Sequence, residues 1–147
     1  MARKDPLRNF RFRVEIDNVT RAGFSDVVIG ESATAAIDYR EGTDPAQVRK
    51  LSGLTKYGNV TLKAGVTTGV GALELYQWHV AVATGQLAQN RRRVIVVLQD
   101  EAAEDQVRFV ISNAWPVKYE TSTLSARANE VVIETLELAN EGIERVQ

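Results

Sequence analysis

Along residues 10–17, FRFRVEID, the apolar Phe10, Phe12, Val14 and Ile16 alternate with Arg11, Arg13, Glu15 and Asp17. A strand sends successive side chains to opposite faces, so this segment is a strand with one dry and one wet face, and it needs a sheet to bury the dry one. The same signal recurs where Val60, Leu62 and Ala64 alternate with Thr61 and Lys63. Residues 22–30 and 34–41 read as two more strands, parted by a turn near Gly30-Glu31-Ser32. Residues 94–98, VIVVL, are continuously apolar and mostly β-branched, which predicts a strand covered on both faces. An acidic turn over 100–105 leads on to Val107, Phe109 and Ile111, a hairpin with a loop longer than the minimal type. Trp115-Pro116 is most simply a bent strand end, because proline cannot donate to a ladder. Residues 129–142, NEVVIETLELANEG, hold good helix formers, yet Val132, Leu136 and Leu138 alternate with Ile133, Thr135 and Glu137. The stiffness of Val and Ile at χ1 tilts this segment toward a strand.

One helix is expected at about 71–84, after the glycines of GVTTGVG and ending at Gly85. At about 100° per residue, Glu74, Gln77, Ala81 and Thr84 fall on a narrow polar arc, and nearly everything else is apolar. An ordinary surface helix buries a stripe of a little over ~100°, and this apolar arc is roughly twice as wide. Such a helix is covered on more than one side. The barrel of its own chain covers one side, and Leu75, Trp78, His79 and Val82 are the candidates for contact with a neighbouring subunit. A loop or chain end folded over the helix is the bland alternative.

The stretch over residues 39–64, YREGTDPAQVRKLSGLTKYGNVTLKA, reads as a strand end, a long polar loop carrying Pro45, Gly53 and Gly58, and a second strand. Loops of that length inside a compact domain are uncommon and usually functional. This one offers Arg40, Glu41, Asp44, Arg49, Lys50 and Lys56 as charges and Leu51, Leu54 and Tyr57 as apolar anchors, with no nucleophile-base pair. That mixture suits a surface that grips another protein.

Composition narrows the rest. The 147 residues fit a single domain of about the commonest size. A net charge of -1 gives no general pull toward nucleic acid or anionic membrane. With no cysteine there is no disulfide, thiolate metal site or cysteine nucleophile. No apolar run approaches the ~20 residues of a membrane span, and the start MARKDPLRN lacks a signal-peptide core, so the expectation is a soluble chain made in the cytoplasm that inserts in no membrane.

Each apparent chemical site has a plainer reading. His79 is the single histidine and so belongs to no multi-histidine metal site; packing or an interface hydrogen bond explains it. Asp100, Glu101, Glu104 and Asp105 lack the spacing and glycine of a calcium loop and read as a solvated turn. GVTTGVG lacks the Gly-Lys-Ser/Thr of a phosphate loop. Arg91, Arg92 and Arg93 could meet phosphate, but without interleaved aromatics a solvated edge or a salt-bridged contact with a neighbouring subunit is the better reading. The serines have no His-carboxylate pattern. Neither a cofactor nor catalysis is expected.

NFRFRVEID (9–17), AGFSDV (22–27), YREGTDP (39–45), RKLSGLTKYGNVTLKAG (49–65) and ETLELANEGIERV (134–146) resemble the inner-tube proteins of contractile phage tails and related extracellular injection particles. The match runs in order through nearly the whole chain. The resemblance implies one tail-tube domain over 1–147, mainly β as a barrel or sandwich of about six to eight strands with one helix, similar to the type VI inner tube. It further implies hexameric rings of this chain, stacked into a hollow conduit for DNA or effector cargo, with sheath, baseplate and terminator proteins as partners. In that setting the 41–57 loop reaches an adjacent ring, and the polar faces marked by Arg11, Arg13, Glu15, Thr61 and Lys63 line either the bore or the outer wall. Period two gives two faces without naming the neighbour of each. Two other classes stand beside this one: a monomeric β-barrel binding a small apolar ligand, and an enzyme. Within the favoured class, the tube of a non-contractile tail or of a type VI secretion system is the near neighbour.

Overall fold

The computed structural model describes residues 11–19, 23–40, 42, 48–69, 71–127 and 131–147. Its elements are β1 (Phe12–Ile16), β2 (Asp26–Val28), β3 (Ser32–Tyr39), β4 (Arg49–Tyr57), β5 (Val60–Gly65), α1 (Glu74–Ala83), β6 (Arg92–Gln99), β7 (Asp105–Thr121), β8 (Ile133–Ala139) and β9 (Gly142–Arg145), with a 3-10 turn at Leu87–Gln89. Seven strands form one sheet, six of them in the order β1-β6-β7-β8-β5-β2 and β9 beside that path on β7; β3 and β4 pair with each other as a separate ribbon. All of these pairs are antiparallel.

β7 explains how one hydrogen-bonded path makes a two-layered body. Its first part pairs with β6 and β9, from Asp105 to Ala114, and its second part pairs with β8, from Trp115 to Thr121. Between them Asn113 takes a left-handed φ of 51°, a conformation that asparagine adopts more readily than most residues. The register slips between Pro116 and Lys118, and at such a bulge the missing N–H of Pro116 breaks no regular ladder. Trp115-Pro116 is therefore a bend inside a 17-residue strand and not the strand end expected from the sequence. β8 and β9 follow β7 around the same corner.

The core lies where the inner faces meet. Val14 and Ile16 of β1, Val94 and Val96 of β6, Ile111 and Ala114 of β7, Leu136 and Leu138 of β8, and Val60 and Leu62 of β5 form one buried cluster with Leu75 and Trp78 of α1. The helix packs along β7 and ends at Gly85, whose φ of +93° suits the residue just past a helix. There Gln86 N–H reaches Ala81 O at 3.0 Å and Gly85 N–H reaches Val82 O at 3.1 Å, the paired bonds of a Schellman ending.

β6 is covered on both sides, as its continuous apolar run predicts, but unequally. Val94 and Val96 face the core, while Val97 on the outer side is fully buried as well. Its register partners are Arg13 on β1 and Arg108 on β7, and both lean on one carboxylate. Arg13 grips Asp105 through two bonds of 3.1 and 3.0 Å, Arg108 stands 3.7 Å from it, and Gln99 donates to it at 3.1 Å. The aliphatic stems of the two arginines thus roof Val97. These bonds hold the Asp105 carboxyl below the usual carboxylate value, with the Arg13 hydrogen bond as the main cause.

Two outcomes are expected. A carboxyl whose pKa is lower in the folded state contributes stability that is present above its unfolded value, here 3.8, and is lost as pH falls through the folded value. Urea unfolding of Asp105→Asn should therefore show a deficit against the parent at pH 7 that shrinks below pH about 4. Trp78→Ala empties a fully buried site and should cost about 3–5 kcal/mol. Leu73→Ala, on the exposed side of the helix entry, should stay within about 0.5 kcal/mol in the same measurement.

Candidate assembly surface

Residues 49–57 were expected to lie in a long loop, but they form β4. It pairs with β3 from Tyr39↔Arg49 to Ser32↔Tyr57, so the two strands form an antiparallel arm. All of β3 is exposed, and in β4 only Gly53 and Tyr57 are partly covered. Glu41 and Asp44 lie outside the described residues.

The two faces of the arm differ. Ala33, Ala35, Ile37 and Tyr39 share one face with Leu51 and Gly53, flanked at its two ends by Arg49 and Lys56, while Ser32, Thr34, Ala36 and Asp38 share the other with Lys50, Ser52, Thr55 and Tyr57. On the polar face the hydroxyls of Thr34 and Thr55 meet at 2.7 Å. A bulge between Thr34 and Ala36 sets Gly53 and Leu54 against Ala35; a Cβ at position 53 would come within 3.2 Å of Ala35 and Ile37. Along this side runs a groove of about 600 Å³ whose floor is Ala33, Ala35, Ile37, Gly53 and Leu54, with Glu31, Thr34, Lys56 and Tyr57 toward the root of the arm. Leu54 is 78% exposed, and Ile37 and Leu51 are each 51% exposed. An isolated two-stranded hairpin is marginal in water, and an amphipathic one has a dry face with nothing of its own to bury it against.

The charged candidates ride on this arm. Arg49 is opposite Tyr39 at the far end, Lys50 opposite Asp38, and Lys56 opposite Ala33 near the root. Arg40 follows β3 directly.

The helix gives a different answer from the one expected. Leu75 and Trp78 are 1% exposed within the chain itself, so neither has surface to offer a neighbour. The Trp78 indole N–H donates to Asn90 O at 2.7 Å, and the Arg92 guanidinium lies 4.9 Å above its ring. Val82 packs against the core. His79 stacks on Tyr119 with centroids 6.3 Å apart, and its Nδ1 is buried with no hydrogen-bond partner among the described residues. Tyr119 also meets the edge of Tyr76 and donates from its hydroxyl to the buried Glu134 at 2.7 Å. What the helix leaves outside is Leu73, Tyr76 and Val80, an apolar stripe at helical spacing. A wide apolar arc told that two sides are dry; only the packing tells which is spoken for.

The other candidates are quickly placed. Arg91 bonds Glu141, Arg92 covers Trp78 and Arg93 stands 3.7 Å from Asp17, so the triplet is engaged within the fold and presents no row of three cations. Arg13 also bonds Glu15 at 3.0 Å, which puts both on the outer side of the β1-β6-β7 layer. Thr61 and Lys63 point outward from the other layer, in register with Glu137 and Thr135 of β8. Arg11 precedes β1 and is exposed. In the acidic turn, Asp100 Oδ1 accepts the N–H groups of Ala102 and Glu104 at 2.9 and 3.0 Å, which organises the hairpin.

The comparisons with known proteins come out on the side of assembly. The family model described as T4-like virus tail tube protein gp19 matches residues 8–144. No curated protein matches this chain. A chain in the cryo-EM structure of the anti-feeding prophage cap, the tube terminating cap, is similar at 26% identity over 99% of this chain and 93% of its own, with a TM-score of 0.81. A chain in the PVC sheath/tube terminator of an extracellular contractile injection system, in its extended state, gives 0.83 at 23% identity over 99% and 100%. Hcp1 from Flavobacterium johnsoniae shares the fold alone, with 0.58 at 14% identity over 93% and 95%. The mainly β fold with one helix is shared with these chains, and the matching family is one of structural tail tube proteins, not of enzymes. By its sequence from residue 8 to residue 144, the chain belongs to the T4-like virus tail tube protein gp19 family.

Proposed function

We propose that this chain is the subunit of the inner tube, closing into hexameric rings that stack into a hollow conduit for DNA or effector cargo inside a contractile sheath. The observation that carries the reading is the β3–β4 arm, with its dry face turned to solvent. An apolar ribbon held away from its own core is stable only against another surface, and for a subunit that repeats, the nearest such surface is the next copy. A head-to-tail contact that closes gives a ring, and one that does not close gives a stack.

In this reading Ile37, Leu51, Leu54 and Tyr57 supply burial between rings, while Arg40, Arg49, Lys50 and Lys56 set register. Each large aliphatic side chain fully removed from water contributes about 1.5–3 kcal/mol, and symmetry repeats that gain at every subunit. The outer stripe of α1, Leu73, Tyr76 and Val80, is a second contact, taking the part first assigned to Leu75 and Trp78. The outward polar faces carrying Arg11, Arg13 and Glu15 on one layer and Thr61 and Lys63 on the other supply the bore and the outer wall. Sheath, baseplate and terminator proteins are the partners, and assembly takes place in the bacterial cytoplasm. The sheath does the mechanical work and the tube is a stiff passive channel.

Ile37→Asp and Leu54→Asp test this. Both positions are exposed, so the unfolding free energy from urea titration should change by no more than about 0.5 kcal/mol. Sedimentation and negative-stain microscopy should show rings and tubes for the parent chain but only small species for both variants. Variants that still form tubes at the parent's concentration would overturn the assignment of the arm.

A further inference from the structure

The arm grows out of the body as a continuation of the β2–β5 pair. Asp26↔Lys63, Val27↔Leu62 and Val28↔Thr61 belong to the body, the pairing then breaks, and it resumes at Ser32↔Tyr57. The break is occupied by Gly30 and Gly58. A Cβ on Gly30 would lie 2.2 Å from Gly58 O and 2.8 Å from Asn59 O, so the two backbones touch there. Gly58 N–H donates to Glu31 O at 2.7 Å. These contacts bind the two strands of the root to each other, but they do not by themselves set the direction in which the arm leaves.

Direction comes from the next strand. β5 pairs with β8 down to Val60↔Leu138, and continuing that register brings Gly58 opposite Asn140. The backbone ladder has stopped by then, and a side chain takes its place. Asn140 Nδ2 donates to Gly58 O at 2.9 Å, while its Oδ1 accepts the N–H of Gly142 at 3.1 Å. Both ends of one part-buried amide are therefore used, one on the arm root and the other on the corner where β8 becomes β9. A second tie, Asn59 Nδ2 to Glu137 Oε1 at 2.9 Å, is exposed and weak in water.

We propose that Asn140 is a positioning residue for assembly: it fixes the angle of the arm to the body, and tube growth depends on that angle. The inference rests on the tube-subunit reading above. An arm that swings about the glycine root loses orientational freedom each time it docks, and that loss weakens every contact it makes. An arm already aimed docks without it.

The chain has no cysteine, so Ser52→Cys on the arm and Lys118→Cys on the body give two unique spin-label sites. Pulsed electron spin resonance on the dilute subunit should give one narrow distance. Asn140→Asp keeps an acceptor for Gly142 N–H but loses the donor and sets a carboxylate oxygen against Gly58 O. Asn140→Ser keeps a short acceptor that does not reach Gly58, and it serves if the aspartate variant folds poorly. Either should broaden the distance distribution and raise the concentration needed for tube formation about tenfold, with far-UV circular dichroism unchanged. Asn59→Ser should leave the distribution narrow. A distribution unchanged in the Asn140 variants overturns the positioning role, and a broadened one with unchanged assembly overturns its link to growth. If the parent chain forms no tubes at any concentration, the tube reading fails, while the distance distribution still decides what Asn140 does.

Discussion

Everything in this fold hangs on one strand serving two layers. β7 pairs first with β6 and β9 and then with β8, so the layers meet through a continuous backbone and not only through side-chain packing. The left-handed Asn113 and the slip after Pro116 turn the strand so that the inner faces look toward each other. Bulges raise local twist and bend a strand, and here the bend makes the core possible. α1 lies along β7 and delivers Trp78 and Leu75 into the cluster the two layers share. A straight β7 would leave a flat sheet with one dry face and nowhere to put the helix.

What the sequence disclosed follows from how local each signal is. Strict alternation gave β1 and β5, a continuous β-branched run gave β6, and the glycine at position 85 gave the end of the helix, because each is written in a few consecutive residues. β4 was hidden because its evidence is not local. RKLSGLTKY does not alternate, since the bulge at Gly53-Leu54 shifts the period, and its strand character comes from pairing with β3. β9, GIER, is likewise a strand because it runs beside β7. The proline in β7 masks a continuing strand for the same reason: its cost depends on whether a partner wants its N–H at that point. On the helix, periodicity told how much surface is apolar, and tertiary packing alone chose Leu75 and Trp78 for the inside and left Leu73, Tyr76 and Val80 outside.

The assembly surface was legible in composition but not in shape. Arg49, Lys50, Lys56, Leu51 and Leu54 were picked out by residue type, and all of them lie on the arm. What the sequence did not show is that Leu51 lines up with Ala35 and Ile37 on one face, between Arg49 and Lys56, while Ser32, Thr34, Ser52 and Thr55 take the other. This order depends on the register between two strands, and register is a property of the pair. The difference is physical: a loop with scattered anchors must order itself on binding, whereas a hairpin with its anchors already in a row has met most of that cost beforehand.

The charges on the arm bear on how copies can meet. Between Ser32 and Tyr57 the sequence carries Arg40, Arg49, Lys50 and Lys56 against Asp38, Glu41 and Asp44, and in the described pairing the cations Arg49 and Lys56 flank the dry face itself, opposite Tyr39 and Ala33. Two arms laid face to face in a two-fold contact would join their dry sides but set like charges beside each other, and such juxtaposition counts against a partner. A contact between the arm and a different surface escapes that penalty, and the exposed surface of the body offers carboxylates such as Glu104 and Glu144. The same side chains that draw the arm to a different patch thus turn it away from its twin. A contact between unlike patches is head-to-tail, and head-to-tail contacts are the kind that build rings and stacks instead of stopping at a dimer.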